Sequence, residues 1–169
     1  MALTANSYFE DYTVGDEYEH SRARTVTNFD NYAVTHMSMN TAQAHFNLER
    51  AKDVLGGLPE RLVAGPCTIG IVVGLTSQDM SENALADVGL DKLRLRTPVF
   101  AGDTLHARSE VLDLRDDPER PDLGLMRYRF IGTNQHGKTV AEGERTVRLK
   151  KRSSWALPDG NAIQAEVLK

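Results

Sequence analysis

Cysteine occurs once in this 169-residue chain, at position 67, and that scarcity removes two architectures. No internal disulfide can form, and no cysteine-based zinc cluster can assemble. An excess of either charge is also missing. Twenty Lys and Arg stand against 24 Asp and Glu, a net charge of −4, which gives no footing for nucleic acid. No apolar run is long and unbroken enough to cross a membrane. The opening MALTANSYFEDY lacks a basic stretch followed by an apolar one, so it does not read as a signal peptide, and the cytoplasm is the expected location. Five histidines (His20, His36, His45, His106 and His136) form neither HExxH nor a pair at helical spacing, so no metal is expected. Neither G-x-S-x-G nor a P-loop occurs, internal repeats are absent, and no cofactor is implied.

What remains is ordinary globular composition: 40% hydrophobic, 26% charged, mean hydropathy −0.42. The length suits one domain, 1–152, with a tail at 153–169. A chain of this size buries roughly 70% of its unfolded surface and needs no staples.

The organising stretch is Leu62–Met80, LVAGPCTIGIVVGLTSQDM. Proline at a first helical position loses no hydrogen bond, so Ala64-Gly65-Pro66 reads as a helix start. Ile69, Ile71, Val72 and Val73 are β-branched and would also suit a buried strand, but the length favours a helix ending near Ser81. Apolar residues all round predict burial on most sides. Gly70 and Gly74, four apart, share a face that backbone or ligand can approach closely.

Before this helix, Glu17–Val26 reads as a strand. Thr27-Asn28-Phe29-Asp30 resembles a capping box opening a helix over Asn31–Met37, with Phe29, Tyr32, Ala33 and His36 inward. Asn47–Leu55 reads as an Asx-capped amphipathic helix stopped by Gly56-Gly57. After it, Leu85–Thr97, Thr104–Leu114, Gly124–Thr133 and Thr139–Lys150 are extended, the last two joined by a turn at Asn134-Gln135-His136-Gly137. Strands grouped away from helices predict an α+β fold, an antiparallel sheet curled around the apolar helix. Ser153–Lys169 reads as a mobile tail.

Three residues could carry chemistry together. His45 ends a polar loop and can move a proton near neutral pH, although a loop histidine bonding backbone fits equally. Asn40 lies five residues before it. Gly65 sits where free helix N–H groups and the helix dipole favour developing negative charge, such as a thioester oxygen becoming enolate-like; a plain helix start is the alternative. Cys67, near the same terminus, reads as a small buried hydrophobe more readily than as a nucleophile.

From about Phe9 to Arg152 the sequence resembles the MaoC-like acyl-CoA hydratase/dehydratase branch of the hot-dog fold. The matching pieces are FEDYTVGD, TVTNFDNYAV, NTAQAHFNLERA, LVAGPCTIGIVVGLT, RTPVFAGDTL and RYRFIGTNQHGKTV. The resemblance implies a central helix wrapped by an antiparallel sheet, a homodimer, and acyl-CoA thioester sites near the interface. The family's catalytic pair is an Asp followed five residues later by a His. His45 matches the His, whereas Asn40 replaces the Asp, as in an itaconyl-, mesaconyl- and methylmalyl-CoA hydratase-like sub-branch.

An amide orients water or a carbonyl but does not exchange a proton at neutral pH. The resemblance therefore implies that His45 deprotonates water for addition to a 2-enoyl-CoA, with Asn40 holding water or substrate and Gly65 donating to the thioester oxygen. Asp30, Glu49 and His36 are the nearest groups that could assist. Lys92, Arg94 and Arg96, or Lys150, Lys151 and Arg152, could bind the CoA phosphates; either set also reads as a solvated face. A hot-dog thioesterase and a non-catalytic acyl-CoA-binding subunit are the competing functions.

Overall fold

The computed structural model describes residues 7–54 and 56–155. The chain runs through β1 (Glu17–Glu19), β2 (Arg24–Thr25), α1 (Asn28–Met37), α2 (Leu48–Ala51), α3 (Gly65–Met80), β3 (Ala84–Leu95), β4 (Thr104–Asp116), β5 (Leu123–Thr133), β6 (Thr139–Lys150) and α4 (Arg152–Trp155). The strands form one antiparallel sheet in the order β1-β4-β5-β6-β3, with β2 extending the pairing along β4. Such an α+β arrangement, with α3 packed on the sheet, is the expected one.

Local chemistry explains the boundaries. The Thr27 hydroxyl accepts from the Asp30 N–H at 3.3 Å, and the Asp30 carboxylate accepts from the Thr27 N–H at 2.8 Å, so α1 opens on a closed capping box. Pro66 occupies the first turn of α3. The β5–β6 turn closes because Asn134 Oδ1 accepts from the His136 and Lys138 amides at 3.0 and 3.1 Å, while Gly137 takes φ +71°.

The buried face of α3, including Cys67, Val72, Thr76 and Met80, lies on Leu105, Val111, Met126, Tyr128, Phe130 and Val147 of the sheet. The close approach of helix and sheet is made at a glycine of the sheet. A Cβ on Gly132 of β5 would lie 2.3 Å from Val72 Cγ2, so the helix sits where the sheet has no side chain. A Cβ added at Gly70 or Gly74 would meet nothing beyond the helix itself within 4 Å. Both glycines face an open groove of about 740 Å³ shared with Ile71, Leu75 and the exposed Phe29. The helix is therefore buried on one side and half-open on the other, not enclosed on most sides.

Three further expectations are corrected. The strand over Glu17–Val26 breaks into β1 and β2, because His20 turns inward between them to bond Asp79 and Ser109. Helix α1 starts at Asn28 and buries Asn31 and Thr35, leaving Phe29 77% exposed and His36 exposed. The helix expected over Asn47–Leu55 is a single turn, Leu48–Ala51, correctly capped by Asn47 Oδ1; Leu55 lies outside the described residues.

Of the expected tail, Ser153–Trp155 belong to α4. The Arg152 amide donates to Glu10 at 2.9 Å, the Arg152 guanidinium pairs with Asp11, and Trp155 Nε1 donates to Asp122 at 3.0 Å, so α4 is docked. The remainder of that tail, 156–169, lies outside the described residues, as do residues 1–6.

Candidate active site

His45 closes a 3-10 turn over Gln43–His45, directly before the Asn47 cap. Its Nδ1 lies 2.8 Å from the Leu62 carbonyl oxygen. A carbonyl can only accept, so Nδ1 carries a proton, and in the neutral form of the ring Nε2 is the nitrogen with the lone pair. No protein partner of Nε2 is found among the described residues. The imidazole thus bonds backbone through Nδ1.

Asn40 follows Met39, which turns the chain at φ +53° as it leaves α1. Its side-chain Oδ1 accepts from the Ala42 amide at 2.9 Å, an Asx turn, and its own N–H donates to the Thr35 carbonyl at 2.9 Å. The oxygen being committed, the side chain offers its NH2 as a donor. An aspartate held this way would offer a second oxygen and a place for a proton; the amide offers neither.

At the start of α3, the Cys67 and Thr68 amides both donate to the Ala64 carbonyl, at 2.9 and 3.2 Å, and Pro66 has no N–H. The Ala64 N–H donates to Asn31 Oδ1 at 3.0 Å. Of the first-turn donors only the Gly65 N–H lacks a partner among the described residues, so the anion-favouring end of the helix narrows to one group.

These three residues line one cavity of about 460 Å³, with Leu62, Leu95 and Arg96 among its other walls. The rest of its lining is largely apolar, including Val63, Pro66, Pro98 and Val99. An imidazole, a side-chain amide and the first residue of a helix therefore border one space suited to a small apolar group with a polar centre.

The groups considered as assisting acids do not join them. Asp30 is committed to its cap. Burial works against its ionisation, but the Thr27 hydroxyl and amide and the Arg24 guanidinium outweigh that and hold the carboxyl below its usual range. Glu49 is exposed beside the α2 cap, and His36 is exposed beside Tyr32 and Phe46. Burial pushes the Cys67 thiol up, with the Asp30 charge adding to it, which argues against a thiolate nucleophile.

The two cation clusters part company. Arg96 lines the cavity and bonds Glu142 through Nε at 2.7 Å. Arg94 and Arg96 also border a depression of about 360 Å³ with Lys92, Arg129, Glu142 and Glu144. Lys92 is paired with Glu144 at 2.8 Å, whereas Arg94 reaches only the Leu93 carbonyl, also at 2.8 Å. Lys150, Lys151 and Arg152 sit at the opposite end of the sheet. Ala141 pairs with Leu95 at the cavity end and Leu149 with Ala84 at the other, a separation of about 25 Å along β6. There Lys150 lies over the Trp155 ring, Lys151 bonds Asp116 at 2.7 Å, and Arg152 holds Asp11. The chain does not bring these three to the cavity.

Two arrangements were not foreseen. Asn31, 1% exposed, bonds main-chain groups of His45, Leu62 and Ala64. Its signal was a polar residue four before Thr35 on one face of α1. At the other end of α3, His20 bridges Asp79 Oδ2 at 2.6 Å and Ser109 Oγ at 2.9 Å, all three residues buried, tying the end of β1 to α3 and β4.

The family described as MaoC like domain matches residues 10–123. A mesaconyl-CoA hydratase from Cereibacter sphaeroides is 32% identical over 92% of this chain and 45% of its own length. An (R)-specific enoyl-CoA hydratase from Rhodospirillum rubrum is 29% identical over 86% of this chain and 93% of its own. Among solved structures, a conserved hypothetical protein from Mycobacterium tuberculosis with a double hotdog fold superposes at TM-score 0.79, with 20% identity, over 90% of this chain and 47% of that one. The chain spans less than half the length of several of the curated relatives it matches, that mesaconyl-CoA hydratase included. With the family matched over residues 10–123 and the sheet and helix superposed on a hotdog neighbour, the chain belongs to the MaoC-like domain family.

Proposed function

We propose that the chain catalyses the reversible addition of water to a 2-enoyl-CoA, with a short branched or dicarboxylic acyl group. The observation that carries this is the placement of His45: its Nδ1 lies 2.8 Å from the Leu62 carbonyl, which leaves Nε2 to act as the base, and His45 and Gly65 line the same cavity. In the hydration direction, Nε2 takes a proton from water while the water oxygen bonds the β-carbon of the enoyl group. The alkene electrons pass to the α-carbon and thioester carbonyl, whose oxygen the Gly65 N–H stabilises. The imidazolium then returns the proton to the α-carbon, closing the balance. The Asn40 NH2 donates to the water oxygen or the substrate and fixes its direction of approach.

Arg94 and Arg96 take phosphates of the CoA, Arg94 being the one with no carboxylate partner among the described residues. The acyl class is supported by the mesaconyl-CoA hydratase relative. The same reading has the protein work as a cytoplasmic homodimer in fatty acid or related acyl-CoA metabolism. Pairing is supported by the open groove along α3 and by the outer strand β3, whose Leu85, Val88 and Leu90 are 46%, 53% and 44% exposed. A second reading, a non-catalytic acyl-CoA-binding subunit, is favoured by one observation alone, the amide at position 40.

The test uses crotonyl-CoA, mesaconyl-CoA and itaconyl-CoA, followed by loss of enoyl absorbance, release of free thiol, and mass. The parent should gain the mass of water on at least one of them, and His45→Ala should lose about 10²-fold or more in kcat. Hydration at the parental rate in that variant would refute the assignment. Free thiol without hydration would point to a thioesterase. Binding without turnover would point to the partner subunit.

A further inference from the structure

Asn31 sits in the first half of α1 and is almost completely buried, a costly place for an amide unless it is bonded. Its four hydrogen-bonding capacities are all used. Nδ2 donates to the His45 carbonyl at 2.7 Å and, more weakly, to the Leu62 carbonyl at 3.4 Å. Oδ1 accepts from the Ala64 N–H at 3.0 Å and from the Thr35 hydroxyl at 3.4 Å. The two short bonds go to different halves of the site. His45 carries the proton, and Ala64 immediately precedes the Gly65 donor. The Leu62 carbonyl between them also accepts from His45 Nδ1, and the Leu62 N–H is bonded to Ala44 at 3.0 Å.

We propose that Asn31 is a positioning residue for hydration. One side-chain amide clasps the loop bearing the base to the segment leading into the anion-stabilising helix start, and so sets the distance between Nε2 and the Gly65 N–H. The assignment rests on the reading of the site as a hydratase. Only a group that donates on one arm and accepts on the other satisfies both carbonyls and the Ala64 amide. Aspartate keeps the shape but turns a carboxylate oxygen toward two carbonyl oxygens; leucine keeps the bulk and makes neither bond. A displacement of the order of 1 Å between reacting groups costs up to about 10²-fold in rate, so the clasp should be read in kcat and not in substrate affinity.

The experiment compares the parent, Asn31→Asp and Asn31→Leu, well below their melting temperatures, on the enoyl-CoA the parent hydrates best. The expected result is a fall in kcat of about tenfold or more in both variants, with KM within about threefold. Nitrogen-15 spectra of His45 should lose the preference for the Nδ1–H tautomer. Parental kcat with an unchanged His45 tautomer in either folded variant would overturn the inference while leaving the hydratase reading intact. A parent that hydrates nothing would overturn that reading, and the tautomer shift would still decide the clasp. Should both variants fail to fold, the parent itself decides. Slowly exchanging Asn31 NH2 protons coupled across the hydrogen bond to the His45 carbonyl carbon support the clasp; fast exchange and no coupling overturn it.

Discussion

Replacing Gly132 with alanine should loosen the contact on which α3 rests. The added Cβ would stand 2.3 Å from Val72 Cγ2, 2.8 Å from Cγ1 and 3.2 Å from Cβ, where ordinary contact begins at 3.4 Å. Both methyls lie in the way, and a β-branched side chain in a helix holds one rotamer, so Val72 cannot rotate out. Val72 is fully buried, so the relief must come from lifting the helix by about 1 Å. Overpacking of this kind costs about 1–3 kcal/mol, and the double clash puts Gly132→Ala near the upper end. For a domain of this size that is a melting temperature lower by about 6–12 °C. Val72→Ala alone loses two methyl groups, about 1.6 kcal/mol of transfer free energy plus a cavity term. The pair should cost less than the sum, because the alanine Cβ on the strand fills the space the valine vacates. Urea unfolding of the parent, both single variants and the double variant measures this coupling, expected at about 1 kcal/mol or more. An additive cycle, or a Gly132→Ala protein within about 0.5 kcal/mol of the parent, would refute the account of how helix and sheet meet.

Gly65→Ala tests a softer contact. Its Cβ would fall 2.5 Å from Leu95 Cδ1, the far end of a side chain 54% exposed, so Leu95 should swing aside for under about 1 kcal/mol and narrow the cavity. Melting should barely move while turnover of a branched enoyl-CoA falls; unfolding, or full activity, would contradict this. Acid should destabilise the fold by a known sign. Bonds from Arg145 hold Asp87 low, the Lys92 ammonium holds Glu144 low, and Asp30 is held low by Thr27 and Arg24 against the effect of burial. Folded-state values below the unfolded ones give stability that is fully present above about pH 4 and is lost as pH falls through the lowered values. The urea midpoint should therefore drop between about pH 5 and pH 2, less steeply in Asp30→Asn; a flat profile would count against these pairings.

Much of the fold was legible because its signals are local. The Thr27–Asp30 box, Pro66 in the first turn of α3, the Asn47 cap and the Asn134–Gly137 turn each depend on neighbours in sequence, and each is found. The readings that failed depend on distant partners. Nothing within Glu17–Val26 announces that His20 will leave the strand for Asp79 and Ser109, 59 and 89 residues away. Nor does helix α3 reveal which glycine meets which neighbour. The close contact with the sheet is made by Gly132, on a strand more than fifty residues later, while the face of Gly70 and Gly74 stays open to a groove.

The site divides along the same line. His45, Asn40 and Gly65 were legible as residue types near a helix start, and the fold brings them to one cavity. What makes them usable was not legible, because it consists of main-chain groups: the Leu62 carbonyl that fixes the imidazole proton, the Ala42 amide that fixes Asn40, and the Ala64 carbonyl that absorbs two of the first-turn donors. Asn31 is the one side chain that betrays this second set. In α1 the apolar residues suggested that Phe29, Tyr32, Ala33 and His36 faced inward, yet Asn31 and Thr35 hold the buried stripe. A polar pair spaced four apart on an inward helix face costs burial energy unless it is bonded, and what it bonds here is backbone from two other segments. The physical reason for that stripe is therefore not packing: a helix that buries an amide instead of a leucine is holding main-chain groups in place, and the groups Asn31 holds belong to His45 and Leu62, which line the cavity, and to Ala64, which precedes Gly65.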